Sequence, residues 1–180
     1  LEAGMEHKMA TVFWITGLSG AGKTTIGKLL YEKIKSVYEN TVFLDGDVMR
    51  CVFGDDLGYS KEDRCKCAMR YSRLCALLQR QGMNVICCTI SMFDSVREWN
   101  RQNIVGYKEI YVKVTMETLR KRDQKGLYSG NFQGEEKDVV GMQIQFEEPN
   151  TPDLILQNDG LNTPEEQVER ILKLYDKTAL

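Results

Sequence analysis

Residues Gly17–Thr24 have the glycine spacing and the final Lys-Thr pair of a phosphate-binding loop. Their sequence, GLSGAGKT, fits the pattern G-x-x-x-x-G-K-[ST] between an apolar run and an amphipathic stretch, the context that the motif requires. Backbone N–H groups and the positive end of the following helix would hold the phosphates, Lys23 would contact the β- and γ-phosphates, and Thr24 would supply a hydroxyl to Mg²⁺. We therefore predict that ATP with magnesium binds at Gly17, Leu18, Ser19, Gly20, Ala21, Gly22, Lys23, Thr24 and Thr25.

Two aspartates, Asp45 and Asp47, follow the next apolar run. At the end of a buried strand one carboxylate can hold a Mg²⁺-bound water, and a second can accept the proton of an acceptor hydroxyl. The alternative is an ordinary Asp-Gly turn. Beside a phosphate-binding loop we favour catalysis, with Lys23, Asp45 and Asp47 as catalytic groups and Thr24 and Asp45 at the metal. The sequence leaves open which aspartate is the base.

Composition limits the classes of partner. The chain has 180 residues, 42% hydrophobic and 28% charged, with a net charge of −2, so we expect a globular protein that binds neither DNA or RNA nor a membrane. Six cysteines lack the spacing of a zinc site or a disulfide framework, and we interpret them as free thiols in a reducing cytoplasm. The single histidine, His7, falls in residues 1–9, which we interpret as a leader, so acid–base chemistry falls to carboxylates.

Apolar runs alternate with amphipathic stretches, which predicts an α/β fold with a parallel β-sheet. Together with the phosphate-binding loop, this predicts a P-loop NTPase three-layer sandwich with a central parallel β-sheet flanked by helices and an inserted lid. We predict one domain over residues 10–180. The glycine-rich stretch of about 125–148 lacks periodicity and is interpreted as the lid. The predicted strands are Thr11–Thr16, Thr41–Leu44, Met83–Ile90, Glu109–Val114 and Asp153–Gln157; the predicted helices are Lys23–Val37, a long one through Cys67–Leu78, Ser95–Gln102, Met116–Arg122 and one opened by a capping box at Thr163–Glu166.

Several ordered motifs together resemble the adenylyl-sulfate kinases from Val12 to about Leu174. They are GLSGAGKTT (17–25), LDGDVMR (44–50), LGYSKEDR (57–64), ISMFDSVREWNR (90–101), EIYVK (109–113), RDQKGLY (122–128) and PNTPDL (149–154). The resemblance implies transfer of the ATP γ-phosphate to the ribose 3′-hydroxyl of a nucleotide whose 5′-phosphate carries a second acidic group. Because that family commonly forms dimers, it also implies a homodimer.

The resemblance also implies roles for individual residues. Arg50 and Arg64 would hold the acceptor's phosphate and its neighbouring group, and Tyr59 would stack on the acceptor base. Arg97 and the lid would close over the acceptor. Arg122 is the further residue expected at ATP; the residues expected at the acceptor are Asp47, Arg50, Tyr59, Arg64, Cys67, Ile90, Ser91, Lys125 and Val139.

The chain departs from the family pattern where the acceptor base would bind. Cys67 stands at the position of an Asn, and Val139 replaces an aromatic residue that would sandwich the base. Losing a stacking ring weakens base binding by about 1 kcal/mol or more. Further departures are Ala68, Met69, Met92 and Val96.

Retained phosphate-handling residues with altered base contacts favour the same reaction on a different nucleotide. The runs AMRYSRLC (68–75), ISMF (90–93) and WNR (99–101) are similar to cytidine diphosphoramidate kinases, a branch associated with bacterial capsule synthesis. We prefer cytidine diphosphoramidate as the acceptor over adenylyl sulfate. The alternatives are another P-loop nucleoside monophosphate or small-metabolite kinase and a nucleotide-binding sensor without activity.

Overall fold

The computed structural model describes residues 9–54, 56–122 and 146–176. The elements in these ranges are β1 (Val12–Thr16), α1 (Lys23–Lys35), β2 (Thr41–Asp45), α2 (Gly46–Phe53), α3 (Lys61–Arg80), β3 (Asn84–Thr89), α4 (Asp94–Asn103), β4 (Tyr107–Lys113), α5 (Met116–Arg122), β5 (Leu154–Gln157) and α6 (Pro164–Asp176). The five strands form one parallel sheet in the order β2-β3-β1-β4-β5. The predicted parallel sheet flanked by helices is confirmed.

The central strand β1 is buried on both faces, which explains its continuous apolar sequence. Val12 and Trp14 pack in a cluster with residues of α3 and α4, whereas Phe13 and Ile15 pack on the opposite face with residues of α1 and α6. In β3 the same alternation sends Cys87 and Cys88 to opposite faces. All six cysteines of the chain lie in the described ranges and are free thiols.

Helix α2 is the element that the sequence did not predict. The sequence places the Asp45-Gly46-Asp47 motif at the end of a strand, with an ordinary turn as the alternative to a catalytic role. The structure adds that Asp45 caps a helix, with its Oδ1 accepting the Asp47 N–H at 3.0 Å. Aspartate is a strong N-cap residue, so the same motif both ends β2 and starts α2. Both aspartates therefore lie at a helix N-terminus.

The capping box of α6 is confirmed. The Thr163 N–H donates to Glu166 Oε2 at 2.8 Å, and the Glu166 N–H donates to Thr163 Oγ1 at 3.2 Å.

Most of the expected lid, including Lys125 and Val139, lies outside the residues that the structure describes. Within the described ranges, no helix has the length and apolar character needed to span a membrane.

Candidate active site

A cavity of about 780 Å³ opens at the carboxyl ends of the strands. The loop after β1, the start of α2 and the segment after β3 meet there because β1, β2 and β3 are sheet neighbours. This edge is where parallel α/β sheets bind ligands. The structure thus brings the phosphate-binding loop and the aspartate pair, 21 residues apart along the chain, to one site.

Close packing explains two glycines of the phosphate-binding loop. A side chain at Gly17 would place its Cβ 2.4 Å from the Val112 carbonyl oxygen, and one at Gly22 would reach 2.5 Å from Asn158 Nδ2. Gly22 also has φ +96°, a left-handed conformation that favours glycine. Replacing either residue would displace the loop.

Only some of the loop residues that the sequence predicts at ATP line the cavity. Gly17, Leu18 and Ala21 are buried beneath it, and Lys23, 9% exposed at the start of α1, donates from Nζ to the Leu18 carbonyl at 2.7 Å. The loop residues that line the cavity are Ser19, Gly20, Gly22, Lys23, Thr24 and Thr25.

Two oxygen donors suited to Mg²⁺ face each other between the loop and β2. Thr24 Oγ1 donates to Asp45 Oδ2 at 2.9 Å. Mg²⁺ takes one or two protein oxygens and completes its shell with phosphate and water. Thr24 and Asp45 supply two such oxygens, so they fit a metal shared with a nucleotide. Asp47, exposed in the first turn of α2, lines the cavity beside them.

A cationic end of the cavity is built around Tyr59. The Arg50 guanidinium lies 4.1 Å from the centroid of the Tyr59 ring, and that of Arg64 lies 5.1 Å from it. Arg50 donates to the Leu57 carbonyl at 2.7 Å, and Arg64 Nε donates to the Tyr59 carbonyl at 2.8 Å. All three side chains, which are predicted to contact the acceptor, line the cavity. The arginines therefore also fix the loop that presents the ring.

The remaining described residues expected at the acceptor, Cys67, Ile90 and Ser91, also line the cavity. Cys67 is 3% exposed, and its thiol donates to the Tyr71 hydroxyl at 2.8 Å. Ser91 Oγ pairs with Thr89 Oγ1 at 2.8 Å. Cys67 is therefore a buried part of the cavity lining, and its thiol is hydrogen-bonded to Tyr71.

The opposite end of the cavity contains Arg122, which the sequence predicts at ATP, together with residues that the sequence did not single out for the site. Arg122 donates to the Asn158 carbonyl at 2.7 Å, and Asn158 Nδ2 donates to the Ala21 carbonyl at 2.8 Å. These contacts fasten the turn after β5 to the phosphate-binding loop. The Asn-Asp-Gly turn at the carboxyl end of the last strand is the signal that could have found it. The residues missed are Asn158, Gly160, Asn162 and Pro164.

Asp159 fastens the same turn to the start of α5. Its Oδ1 accepts the Thr115 N–H at 2.9 Å and the Thr115 hydroxyl at 2.8 Å. The Thr115 N–H is the main cause that holds the pKa of Asp159 below its ordinary value, with hydroxyl hydrogen bonds from Thr118 and Thr115 acting in the same direction. The native carboxylate therefore gives up its proton at a lower pH than in the unfolded chain. Because the two pKa values differ, the ionised carboxylate raises the free energy of unfolding.

Asp159→Asn is expected to lower Tm at neutral pH by about 2–4 °C, the equivalent of about 1 kcal/mol for a charge-assisted hydrogen bond. The contribution is complete above the ordinary aspartate pKa and is lost as pH falls through the lowered native value. Thermal unfolding at a series of pH values measures it, with the exposed Glu39→Gln as control. A difference in Tm that does not shrink on acidification would contradict this assignment.

The structure corrects the expectation that Arg97 closes over the acceptor. Arg97 is 4% exposed and absent from the cavity lining. Its Nε lies 3.4 Å from Glu109 Oε1, Arg101 Nη2 lies 2.6 Å from Glu109 Oε2, and Arg97 Nη2 donates to the Glu147 carbonyl at 2.8 Å. Glu109, 2% exposed on β4, needs cationic partners because a buried lone carboxylate is strongly unfavourable. Arg97, together with Arg101, therefore neutralises Glu109.

Comparison with known proteins gives consistent matches. The sequence model of the Adenylylsulphate kinase family matches residues 9–157. The cytidine diphosphoramidate kinase of Campylobacter jejuni subsp. jejuni is 43% identical over 162 residues, covering 90% of this chain and 94% of that protein. An adenylyl-sulfate kinase of Picosynechococcus sp. is 40% identical over 169 residues, covering 94% of each. The structure of the Mycobacterium tuberculosis APS kinase CysC in complex with AMPPNP and APS has a TM-score of 0.82 and 29% identity, covering 93% of this chain and 98% of that one.

Proposed function

Because the chain belongs to the adenylylsulphate kinase family, we propose that it transfers the γ-phosphate of ATP to the ribose 3′-hydroxyl of a nucleotide whose 5′-phosphate carries a second acidic group. The observation that carries the proposal is the 2.9 Å contact between Thr24 and Asp45. That contact joins the phosphate-binding loop to the aspartate pair beside one cavity, so a bound γ-phosphate and an acceptor hydroxyl can approach in line.

The two ends of the cavity match the two substrates. ATP would place its phosphates at Lys23 and the start of α1, and its remaining part toward Arg122 and the turn after β5. The acceptor would place its anionic groups at Arg50 and Arg64, where two guanidinium groups offer several donors to phosphate oxygens. The acceptor hydroxyl then falls between these ends, beside Asp47.

Each group near the reacting atoms has a separate task in this proposal. Mg²⁺, held by Thr24 with Asp45 in support, would neutralise charge on the β- and γ-phosphates. Lys23 stabilises the charge that develops on the transferred phosphoryl group. Asp47 accepts the proton of the acceptor hydroxyl, because it is exposed and lines the cavity, whereas Asp45 supports the metal beside Thr24.

For the acceptor we propose cytidine diphosphoramidate. The support is twofold: the 43% identity to the Campylobacter jejuni kinase, and the thiol of Cys67, which donates to Tyr71 and offers the base no carboxamide. Adenylyl sulfate is the second candidate, favoured by the ring of Tyr59 at the cationic end and by the 40% identity to the Picosynechococcus kinase. The six free thiols favour a reducing cytoplasm as the setting.

A panel of acceptors tests the proposal. With MgATP, we expect cytidine diphosphoramidate to be phosphorylated with a kcat/KM at least about tenfold above that of adenylyl sulfate, equivalent to about 1.4 kcal/mol. Phosphorus NMR of the product would show the new ester on the ribose 3′-oxygen. CMP and AMP serve as controls without the second acidic group.

The other outcomes decide between the alternatives. Preference for adenylyl sulfate would keep the reaction and change the acceptor. Comparable turnover of CMP or AMP would replace the proposal by a nucleoside monophosphate kinase. Binding of ATP without turnover of any acceptor in the panel would favour a nucleotide sensor.

A further inference from the structure

Helix α2 contributes four residues to the cavity lining, Gly46, Asp47, Arg50 and Cys51, although little of the helix is buried. It has only eight residues, and Met49 is its one buried side chain. On its outer face Val48 and Val52 are 61% and 77% exposed. A helix this short contributes little stability of its own, so contacts from other elements must set its position. That position decides where Asp47 and Arg50 lie.

On one side, the start of α2 rests against the end of β3. A Cβ at Gly46 would lie 3.2 Å from the Cys88 carbonyl oxygen and 3.4 Å from Thr89 Oγ1. The turn that joins the two aspartates therefore packs closely on the sheet and cannot move inward. Nothing in this contact stops it from moving outward.

On the other side, Tyr71 of α3 holds both ends of α2. Its hydroxyl donates to the Gly46 carbonyl at 3.0 Å, and its ring stacks on Phe53 with centroids 5.9 Å apart and an interplanar angle of 23°. Gly46 opens α2 and Phe53 closes it. One side chain, 5% exposed, thus spans the helix and lines the cavity.

Cys67 fixes the direction of the Tyr71 hydroxyl. The thiol donates to the Tyr71 oxygen at 2.8 Å, so the hydroxyl hydrogen is directed to the Gly46 carbonyl. A tyrosine hydroxyl has one hydrogen to donate, and here it is committed to the backbone between Asp45 and Asp47. Both Cys67 and Tyr71 are buried, so water competes little for these bonds.

We propose that Tyr71 is a positioning residue for phosphoryl transfer: through the Gly46 carbonyl it holds the Asp45-Gly46-Asp47 turn at the distance from Thr24 that the reaction needs. The inference rests on the proposed function. Tyr71 touches neither the phosphates nor the metal in this account. It acts through the two aspartates, and small displacements of such groups reduce rates strongly.

Tyr71→Phe tests the hydroxyl while keeping the ring on Phe53. We expect kcat to fall about tenfold, with the KM for ATP unchanged within about twofold. The Mg²⁺ concentration for half-maximal rate should rise about threefold or more, because Asp45 supports the metal from the same turn. Steady-state kinetics on the full chain measures both.

Tyr107→Phe is the matched control. Tyr107 is buried in the same apolar cluster, and its hydroxyl accepts from Asn100 Nδ2 at 3.5 Å, away from α2 and the cavity. It should share any loss of Tm with Tyr71→Phe but keep kcat and the Mg²⁺ dependence of the unaltered chain. If both variants lose only Tm, Tyr71 is structural and the proposal is wrong.

Calorimetric titration with ADP needs no acceptor. ADP binding should tighten on adding Mg²⁺ to the unaltered chain and to Tyr107→Phe, and tighten about threefold less in Tyr71→Phe. If no acceptor in the panel is phosphorylated, the proposed reaction fails while this titration still tests Tyr71. Equal tightening in all three proteins would overturn the positioning role.

Discussion

Lys23→Ala is expected to lower kcat/KM by about 10²–10³-fold or more with every acceptor that the protein phosphorylates. Lys23 begins α1, is 9% exposed and lines the cavity inside the phosphate-binding loop. Its charge would meet the phosphoryl group where negative charge develops, in a site where water screens little. The loss should therefore appear in kcat as well as in the KM for ATP.

Lys28→Ala is the control for this prediction. Lys28 is in the same helix, but it is exposed and does not line the cavity. Both substitutions place alanine in a helix, where it is the most favourable residue, so helix propensity does not separate them. Activity of Lys28→Ala should stay within about twofold of the unaltered chain.

Steady-state kinetics with the preferred acceptor measures both variants, and thermal unfolding confirms that both are folded. A Lys23→Ala variant that keeps a tenth or more of the activity would contradict the role given to this residue. An equal loss with Lys28→Ala would trace the effect to α1 as a whole.

Much of the fold could be predicted from the sequence because parallel strands buried on both faces are continuous apolar runs. β1 and β3 are such strands, and every residue in them is buried. The phosphate-binding loop could also be predicted, since its glycines, lysine and threonine form a motif of fixed spacing within eight consecutive residues. The capping box of α6 likewise needs only residues three apart.

Contacts between residues far apart in the chain could not be predicted in the same way. Asn158 reaches Ala21 across 137 positions, and Tyr71 reaches Gly46 across 25. Neither pair has a spacing pattern, because the sheet order brings Asn158 to Ala21 and the packing of α3 on α2 brings Tyr71 to Gly46. α2 was missed for a related reason: Asp-Gly-Asp favours a turn and a helix N-cap alike, and packing against α3 decides between them.

Arg97 shows how a family motif can mislead about the role of one residue. The motif suggested a contact with the acceptor, but the structure places Arg97 beside the buried Glu109 of β4. A sequence shows that a cation is present and not which carboxylate it neutralises. The choice depends on which acidic residue loses its water on folding.

The two aspartates are expected to fail in different ways when their charge is removed. Asp47→Asn should lower kcat by about 10²–10⁴-fold, because an amide cannot take the proton of the acceptor hydroxyl. Asp45→Asn should raise the Mg²⁺ requirement, since it removes the carboxylate that contacts Thr24. Asparagine also caps helices well, so α2 should survive the change at Asp45.

Measuring kcat across a range of Mg²⁺ concentration separates the two roles. Asp47→Asn should stay impaired at any Mg²⁺ concentration, whereas Asp45→Asn should regain activity as Mg²⁺ is raised. The exposed Asp47 lines the cavity with access to an acceptor, whereas Asp45 Oδ2 accepts from the hydroxyl of Thr24, the other residue assigned to the metal. Rescue of Asp47→Asn by Mg²⁺, with no rescue of Asp45→Asn, would exchange the two assignments, and the proton would then pass to Asp45.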